Sequence, residues 1–344
     1  MIFSQVSSSR FNVRIMSTML LFILLIPGLN AQNLPLVGTE SPRDGGRLFP
    51  AAYFTDYLEN RKIRDAAQPF WAFTEAEQAS YSNYYIESQS ILLNYDILAY
   101  YGHPLSRNMG ILGRYSKEDL KAQLEVTAEN YRTVSGGRGV RLAYYIIYGT
   151  VWPEGQIGII RESVLREYIE FALENDILIF LDHQIGRYDP IDSLRRMLPW
   201  LRYPNVHLAL DPEWRTTRPM QEIGSVTAAE INEAQRVMEE YMIENQISGE
   251  RLLVIHQFNW RMISSREDVR SDFQRVRLIH CADGFGSPAM KRDSYAYNTQ
   301  ATNMPLKGFK LFYEGMPGAG YDYPLMTPQQ VYNLNPRPYV IMYQ

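Results

Sequence analysis

The sequence predicts a (β/α)8 barrel, in which eight parallel strands form a closed ring and helices cover its outside. Short apolar runs rich in β-forming residues recur along the chain, and most are continuous, as expected for parallel strands covered on both faces. Segments with helical spacing separate them, which is the alternation of this fold. The predicted strands are Ile97–Gly102, Val140–Gly149, Ile177–Gln184, Val206–Asp211, Leu252–Phe258, Val276–Asp283, Phe309–Glu314 and Tyr339–Tyr343.

The first element in chain order is a secretory signal peptide, predicted over residues 1–31. Arg10 and Arg14 precede an apolar run at 19–26, and the small residue Ala31 ends the segment. The run is too short to cross a bilayer, which takes roughly 20 apolar residues. We therefore expect a secreted or periplasmic chain with no transmembrane segment after cleavage.

An N-terminal extension is predicted over residues 32–95, and the single barrel domain over 96–344. The extension ends in a helix at 74–94, which begins with a capping box at Thr74 and Glu77. No helix follows the eighth strand, so this helix is expected to cover that gap in the ring.

Four further segments carry helix signals between the strands. Apolar residues recur at helical spacing in 161–175 and 227–247, and Thr227 with Glu230 forms a second capping box. Asp189-Pro190 and Thr327-Pro328 each place a capping residue before a proline at the first helical position. An open doubly wound sheet is the alternative, but its Gly-rich phosphate turn is missing after the first strand.

Composition excludes several classes of protein. The chain has 344 residues, one cysteine and a formal net charge of −4. One cysteine rules out an internal disulfide framework and a zinc site with two or more thiolates. The acidic balance argues against a nucleic-acid partner, and a monomer is expected. We expect Cys281 to be buried. The tyrosines within or at the ends of predicted strands should divide between the outside of the barrel and its interior or mouth; they are Tyr100, Tyr101, Tyr144, Tyr145, Tyr148, Tyr313 and Tyr343.

Polar side chains collect where the predicted strands end. In barrel enzymes the active site lies at this end of the strands. A charged side chain that faces into a barrel is costly unless it is paired or solvated, so these residues are either functional or joined in an ion network. They are His103, Asp182, His183, Gln184, Asp211, Glu213, His256, Gln257, His280, Asp283, Tyr313 and Glu314.

Paired carboxylates and tryptophans favour chemistry on a glycan, with no cofactor. Glycoside hydrolysis uses one carboxylic acid and one nucleophile or base, which we assign to Glu213 and Glu314, with Asp182 and Asp211 as rival carboxylates. Pro212 replaces the asparagine that usually precedes the acid in the large retaining glycosidase clan. The expected substrate-binding residues are His103, Trp152, Gln184, Trp214, His256, Gln257, Trp260, Asp283 and Tyr313.

Two other functions remain open at this point. Asp182, His256 and Asp283 could hold a divalent metal in a metal-dependent hydrolase or isomerase, although no strong metal-binding spacing is present. The chain could also be a non-catalytic barrel that binds a cell-wall polymer. For both the glycoside hydrolase and the non-catalytic barrel, the expected partner is a carbohydrate or cell-wall polymer.

From residue 97 onward the chain resembles a family of uncharacterised exported bacterial proteins with a glycoside-hydrolase-like barrel. The resemblance implies a barrel and an exported location, and it supplies no catalytic residues. It rests on ordered motifs that include Tyr101-Gly102-His103-Pro104, Leu181-Asp182-His183-Gln184-Ile185-Gly186, Ala209-Leu210-Asp211-Pro212-Glu213, His256-Gln257-Phe258, Asp283-Gly284-Phe285-Gly286 and Lys310-Leu311-Phe312-Tyr313.

Overall fold

A closed ring of eight parallel strands forms the centre of the molecule. The computed structural model describes residues 91–315 and 320–344. Each barrel strand pairs in parallel with the next, and β1 pairs with both β2 and β8, which closes the ring. The strands are β1 (Tyr95–Gly102), β2 (Gly139–Val151), β3 (Leu178–His183), β4 (Val206–Leu210), β5 (Arg251–His256), β6 (Val276–Ala282), β7 (Lys307–Leu311) and β8 (Val340–Tyr343).

The predicted fold class is therefore confirmed, and each of the eight predicted strands is present. The largest difference is at β7, which begins at Lys307 and ends at Leu311, three residues before the predicted end at Glu314. Beyond Leu311 the Phe312 N–H donates to the carboxylate of Asp322 at 3.0 Å. Glu314 consequently lies in a turn rather than in the strand.

Helices cover the outside of the ring between successive strands, except between β5 and β6, where the described chain has only 3-10 turns and a two-residue strand. Predicted helices at 161–175 and 227–247 are confirmed as α3 and α5, and the capping box of Thr227 and Glu230 is formed. Asp189, Ser287 and Thr327 cap three others, each followed by proline. The helices are α1 (Ile91–Asn94), α2 (Lys117–Arg132), α3 (Glu162–Glu174), α4 (Pro190–Met197), α5 (Ala228–Glu244), α6 (Pro288–Thr299) and α7 (Pro328–Tyr332).

Shorter elements decorate the loops at the carboxyl end of the ring. Ile157–Ile159 adds an antiparallel strand to β2, and Val226–Thr227 pairs with Ile263–Ser264 in a separate small sheet. One-turn 3-10 helices at Pro212–Trp214 and Trp260–Met262 follow β4 and β5 directly. These turns fix the first residues after the strands, where the predicted site lies.

The extension and the signal peptide fall outside the described residues, apart from α1. This helix is the last turn of the helix predicted over 74–94. Within 91–315 and 320–344, no helix is long and apolar enough to cross a membrane. The boundaries at 31 and 95 stay predictions.

Tyrosines divide between the two faces of the barrel, as predicted. On the outside, Tyr100 hydrogen-bonds to Thr127 of α2, and Tyr343 hydrogen-bonds to Tyr131 at 2.8 Å. On the inside, Tyr101 and Tyr145 pack with ring centroids 5.4 Å apart. The residues alternate because side chains point to opposite faces of a strand. Cys281 is fully buried in β6, as expected.

Candidate active site

Eight polar side chains gather inside the barrel at the carboxyl ends of its strands. Two contacts between strands that are not neighbours show that four of them face inward: Tyr145 of β2 reaches His256 of β5, and Tyr101 of β1 reaches Asp182 of β3. Asp283 and Lys310 contact members of these pairs. We call this group the mouth cluster. It consists of Tyr101, Tyr145, Asp182, Asp211, Glu213, His256, Asp283 and Lys310.

Asp182 is held on one side of the mouth cluster by a tyrosine. The Tyr101 hydroxyl donates to Asp182 Oδ2 at 2.9 Å, and Lys310 Nζ lies 3.7 Å from the centroid of the Tyr101 ring. Burial raises the pKa of Asp182, although the positive charges of His256 and Lys310 and the bond from Tyr101 oppose the shift. Asp182 is fully buried, and in its protonated form it can donate a hydrogen bond.

A tyrosine, a histidine and an aspartate form a chain across the cluster. Tyr145 Oη lies 2.8 Å from His256 Nε2, and His256 Nδ1 lies 3.2 Å from Asp283 Oδ2. Burial alone would lower the pKa of His256. The contacts with Asp283 and Cys281 and the charge of Asp182 outweigh burial and hold this pKa well above its ordinary value. His256 and Asp283 therefore form an ion pair at neutral pH.

Two more carboxyls follow β4. Asp211 accepts a hydrogen bond from the backbone N–H of Glu213 at 3.3 Å, and this bond caps the 3-10 turn that carries Glu213. Burial raises the pKa of Asp211 well above its ordinary value, and the charges of Asp182, Glu213 and Asp283 raise it further. Burial, helped by the charge of Asp283, raises the pKa of Glu213 to about 7. Glu213 is half-buried and can therefore gain or lose a proton near neutral pH.

Several predicted site residues bond to groups outside the mouth cluster. Gln257, directly after β5, accepts through Oε1 from His280 Nε2 at 2.8 Å. Gln184 Oε1 accepts from the Val151 N–H, and His183 Nδ1 accepts from the Ile185 N–H, so both fix loops. These side chains hold the walls of the barrel together.

His103 and the strand-seven residues are also separate from the cluster. His103 Nδ1 accepts from the Leu105 N–H, and its imidazole is half-buried. The aromatic rings of Tyr313 and Tyr343 stack with centroids 5.1 Å apart, on the outside of the barrel near α2. Glu314 is exposed and makes no hydrogen bond or ion pair with the part of the chain that the structure describes. The structure thus joins Glu213 to Asp211 and Asp283 rather than to Glu314.

Exposed tryptophans follow two of the strands that carry the cluster. Trp152 after β2 is 58% exposed, and Trp260 after β5 is 63% exposed. Trp214 lies one residue beyond Glu213 and is half-buried. Large apolar side chains with this exposure are available to pack against a ligand that approaches the carboxyl end of the ring.

The residues predicted as alternative metal ligands engage other protein groups. Both ring nitrogens of His256 face protein atoms, with Tyr145 at one and Asp283 at the other. Asp182 Oδ2 accepts from Tyr101. Among residues 91–315 and 320–344, no three His, Cys, Asp or Glu side chains are grouped in a way that could hold a metal ion.

Sequence reasoning missed Lys310, Tyr101 and Tyr145 as members of the site. Lys310 lies between Phe309 and Leu311, and a charged residue flanked by apolar ones in a buried strand was the available signal. Tyr101 and Tyr145 gave no such signal, because a tyrosine suits the core as well as a polar site.

Comparisons with known proteins give distant likenesses only. No protein-family model matches the chain, and no curated protein sequence matches it. Oxaloacetate acetylhydrolase in complex with oxalate is similar at a TM-score of 0.39 and 13% identity, over 63% of this chain and 72% of that one. The β-glucanase SdGluc5_26A from Saccharophagus degradans matches at 0.37 and 14%, over 66% and 76%.

A third solved structure is PbGH5A, a glycoside hydrolase family 5 enzyme from Prevotella bryantii B14. It matches at a TM-score of 0.39 and 8% identity, over 74% of this chain and 90% of that one. Scores this low tell nothing about reaction or substrate. The barrel itself is established by the closed order of the strands in this chain.

Proposed function

We propose that this protein is an exported hydrolase that acts on a glycan, with Glu213 as its general acid. The observation that carries the proposal is the half-buried carboxyl of Glu213 at the carboxyl end of the barrel, with a pKa raised to about 7 by burial. A carboxylic acid that is still protonated near neutral pH can protonate the oxygen of a glycosidic bond as that bond breaks.

Asp283 is the proposed second carboxylate. Its Oδ2 lies 3.2 Å from His256 Nδ1, and its second oxygen, Oδ1, has no hydrogen-bond partner among the described residues. Asp283 also acts on Glu213 through its charge, which supports their proximity. Glu314 was the sequence-based candidate, but it is exposed and lies in a turn beyond β7.

The reaction can be balanced with these two groups and water. Glu213 gives its proton to the glycosidic oxygen while the bond between that oxygen and the anomeric carbon breaks. Asp283 stabilises the positive charge that develops on the sugar, either as nucleophile or as base toward water. Water supplies the hydroxyl group on the anomeric carbon. Its remaining proton goes to Glu213 if Asp283 is the nucleophile. If Asp283 is the base, that proton goes to Asp283, which releases it to solvent while Glu213 takes one up.

The neighbouring residues have supporting roles in this proposal. Asp182 and Asp211, with their raised pKa values, would donate hydrogen bonds to sugar hydroxyls. His256, braced by Tyr145, would keep Asp283 charged and oriented. Trp152 and Trp260 offer exposed rings on which sugar rings can stack.

The test is a screen of residues 32–344 against a polysaccharide panel, with release of reducing ends as the readout. On the best substrate, Glu213→Gln and Asp283→Asn should each lower kcat/KM by about 10²–10⁴-fold. Glu314→Gln is the matched control and should stay within about threefold of the parent, because that exposed carboxyl has no part in the cluster. The anomeric form of the first product then tells whether Asp283 acts as nucleophile or base.

Three outcomes would contradict the proposal. Undiminished turnover in Glu213→Gln would show that Glu213 is not the general acid. A large loss of activity in Glu314→Gln, with activity kept in Asp283→Asn, would show that Glu314 and not Asp283 is the second carboxylate. Binding of a polysaccharide without any product, in the parent protein and in every variant, would assign the chain as a non-catalytic glycan-binding barrel.

A further inference from the structure

The ammonium group of Lys310 lies inside the barrel without a hydrogen-bond or ion-pair partner among the residues that the structure describes. The side chain belongs to a residue that is 4% exposed. Its Nζ contacts the rings of Tyr101, at 3.7 Å, and Phe312, at 5.1 Å. It makes no hydrogen bond or ion pair with any residue in the described ranges 91–315 and 320–344.

Two other buried lysines of the chain provide the comparison. Lys291 donates to the carbonyl oxygens of Gly284 and Lys310 and pairs with Asp322 at 3.3 Å. Lys307 donates to the carbonyl oxygens of Asn298 and Ala301, at 2.7 and 3.0 Å. The fold thus surrounds these two ammonium groups with acceptors. At Lys310 it leaves the three N–H donors to a partner from outside.

Alternation along β7 directs this ammonium group to the mouth cluster. Phe309 packs on Tyr295 of α6, so Phe309 points outward and its neighbour Lys310 points inward. The charge of Lys310 acts on both Asp182 and Glu213, which are the carboxyls on either side of the cluster. A ligand group bound to Lys310 would therefore lie beside the proposed acid.

The charges of the cluster leave room for one anion. His256 and Asp283 neutralise each other as an ion pair. Burial raises the pKa of both Asp182 and Asp211. In the state in which these two carboxyls and Glu213 are protonated, Lys310 is the one charged group of the mouth cluster without a counter-ion. An uncompensated charge in a buried position is unfavourable, so an anionic ligand group gains affinity there.

We propose that Lys310 binds the carboxylate of a uronic acid residue, so that the glycan substrate is acidic. The choice of a sugar rests on the proposed function, whereas the choice of an anion rests on the unpaired ammonium group alone. A single carboxylate matches the single charge of the cluster. Sulfated and phosphorylated sugars share the anionic chemistry and serve as the discriminating probes.

The experiment measures binding of D-glucuronate, D-galacturonate, D-glucose, glucose 6-phosphate and glucose 6-sulfate by calorimetry. The protein is the Glu213→Gln variant of residues 32–344, so that turnover does not interfere. We expect at least one uronate to bind ten or more times more tightly than glucose, and more tightly than the phosphate and the sulfate. Lys310→Met should abolish that preference, and Lys310→Arg should restore part of it.

A stability measurement separates a binding role from a structural one. Removing an unpaired buried charge should raise the melting temperature of Lys310→Met without ligand, whereas a lysine that supports the fold would lower it. Arg292→Met removes an exposed charge on α6 and should change neither the binding preference nor the melting temperature. If Lys310→Met does not fold, Lys310→Gln takes its place as the variant without the charge, and an unchanged uronate preference in Lys310→Gln would overturn the proposal.

The results also separate this inference from the proposed function. Equal affinity for glucose and the uronates, or uronate binding unchanged in Lys310→Met, overturns the role of Lys310 even if neutral glycans are cleaved. If the phosphate or the sulfate binds more tightly than the uronates, the ligand is anionic but is not a uronic acid. Lysine-dependent uronate binding with no cleavage of any glycan supports the role of Lys310 and contradicts the hydrolase.

Discussion

Tyr101 makes the hydrogen bond that holds Asp182 in the mouth cluster. Tyr101→Phe removes the donor and leaves the buried carboxyl with no polar partner among the described residues. We expect the free energy of unfolding to fall by about 1–3 kcal/mol, which is the usual cost of a buried group without a partner. Urea unfolding measures the change. Tyr188→Phe, at an exposed ring, is the control, and an equal loss there would contradict the assignment.

Glu213 makes stability depend on pH in a predictable direction. Its pKa in the folded protein is about 7, above the ordinary 4.5, so the folded state holds the proton more tightly than the unfolded state. The contribution of Glu213 to stability is therefore full below about pH 4.5 and is lost as the pH rises through about 7. Glu213→Gln has no such loss.

The measurement is urea unfolding of both proteins at pH 5 and pH 8. The variant should gain about 1–3 kcal/mol relative to the parent between these two pH values. Comparing the two proteins cancels the similar losses expected from Asp182 and Asp211. Glu314→Gln is again the matched control. A stability difference between parent and Glu213→Gln that does not change with pH would show that burial does not control this carboxyl.

At the scale of single elements, the cap of α5 is the clearest link from sequence to stability. The Thr227 hydroxyl accepts from the Glu230 N–H, and the Glu230 carboxylate accepts from the Thr227 N–H. Thr227→Ala removes one half of this box and should cost about 1 kcal/mol in urea unfolding. Thr227→Ser keeps the hydroxyl and should lower the free energy of unfolding by only a few tenths of a kcal/mol. Equal losses in the two variants would refute the cap.

Strand β7 illustrates how the end of an element decides function. The Asp322 carboxylate accepts from the N–H groups of Phe312 and Gly286, and Lys291 pairs with it. These contacts end the strand at Leu311 and send Glu314 into a turn. Lys310, inside the strand, becomes the charged group that β7 presents to the mouth cluster.

At the scale of the whole molecule, Asp96 fastens the closure of the ring. This buried carboxylate of β1 pairs with Arg138, just before β2, and with Arg337, just before β8. Asp96→Ala removes the carboxylate that both arginines share at the junction of three strands, and they keep their bonds to backbone carbonyls. We expect a loss of about 2–4 kcal/mol in urea unfolding, reduced from a fully buried pair because the arginines are partly exposed.

An exposed ion pair provides the control for the closure. Asp192 pairs with Arg195 at 3.3 Å on the surface of α4. Asp192→Ala should leave the unfolding midpoint nearly unchanged, because exposed pairs contribute little. If Asp96→Ala were as harmless, the ring would be held closed by strand pairing and packing without help from this charge.

Local patterns explain how much of the fold the sequence could predict. The predicted strands are continuous apolar runs, and the predicted helices show apolar residues at helical spacing or a capping residue at their N-terminus. Both signals lie within a few neighbouring residues. The confirmed helices α3 and α5 and all eight strands follow from such signals. The end of β7 did not, because Asp322 stops that strand from ten residues away.

For the candidate site, the sequence predicted the end of the barrel at which the site lies better than it predicted which residues belong to the site. Asp182, Asp211, Glu213, His256 and Asp283 were expected together and lie together. Gln257 was grouped with His256, yet Gln257, directly after β5, bonds to His280 outside the mouth cluster. Nothing in a consecutive pair of polar residues tells which one faces inward.

The sequence by itself therefore determined the barrel fold and the end of the barrel at which polar side chains gather. Both follow from local periodicity and from the positions at which the strands end. Only the tertiary structure decided the composition of the mouth cluster. It turned Lys310 inward beside Tyr101 and Asp182, and it left Glu314 exposed. The physical reason is that facing and strand length are fixed by hydrogen bonds and packing between distant segments, which no single segment encodes.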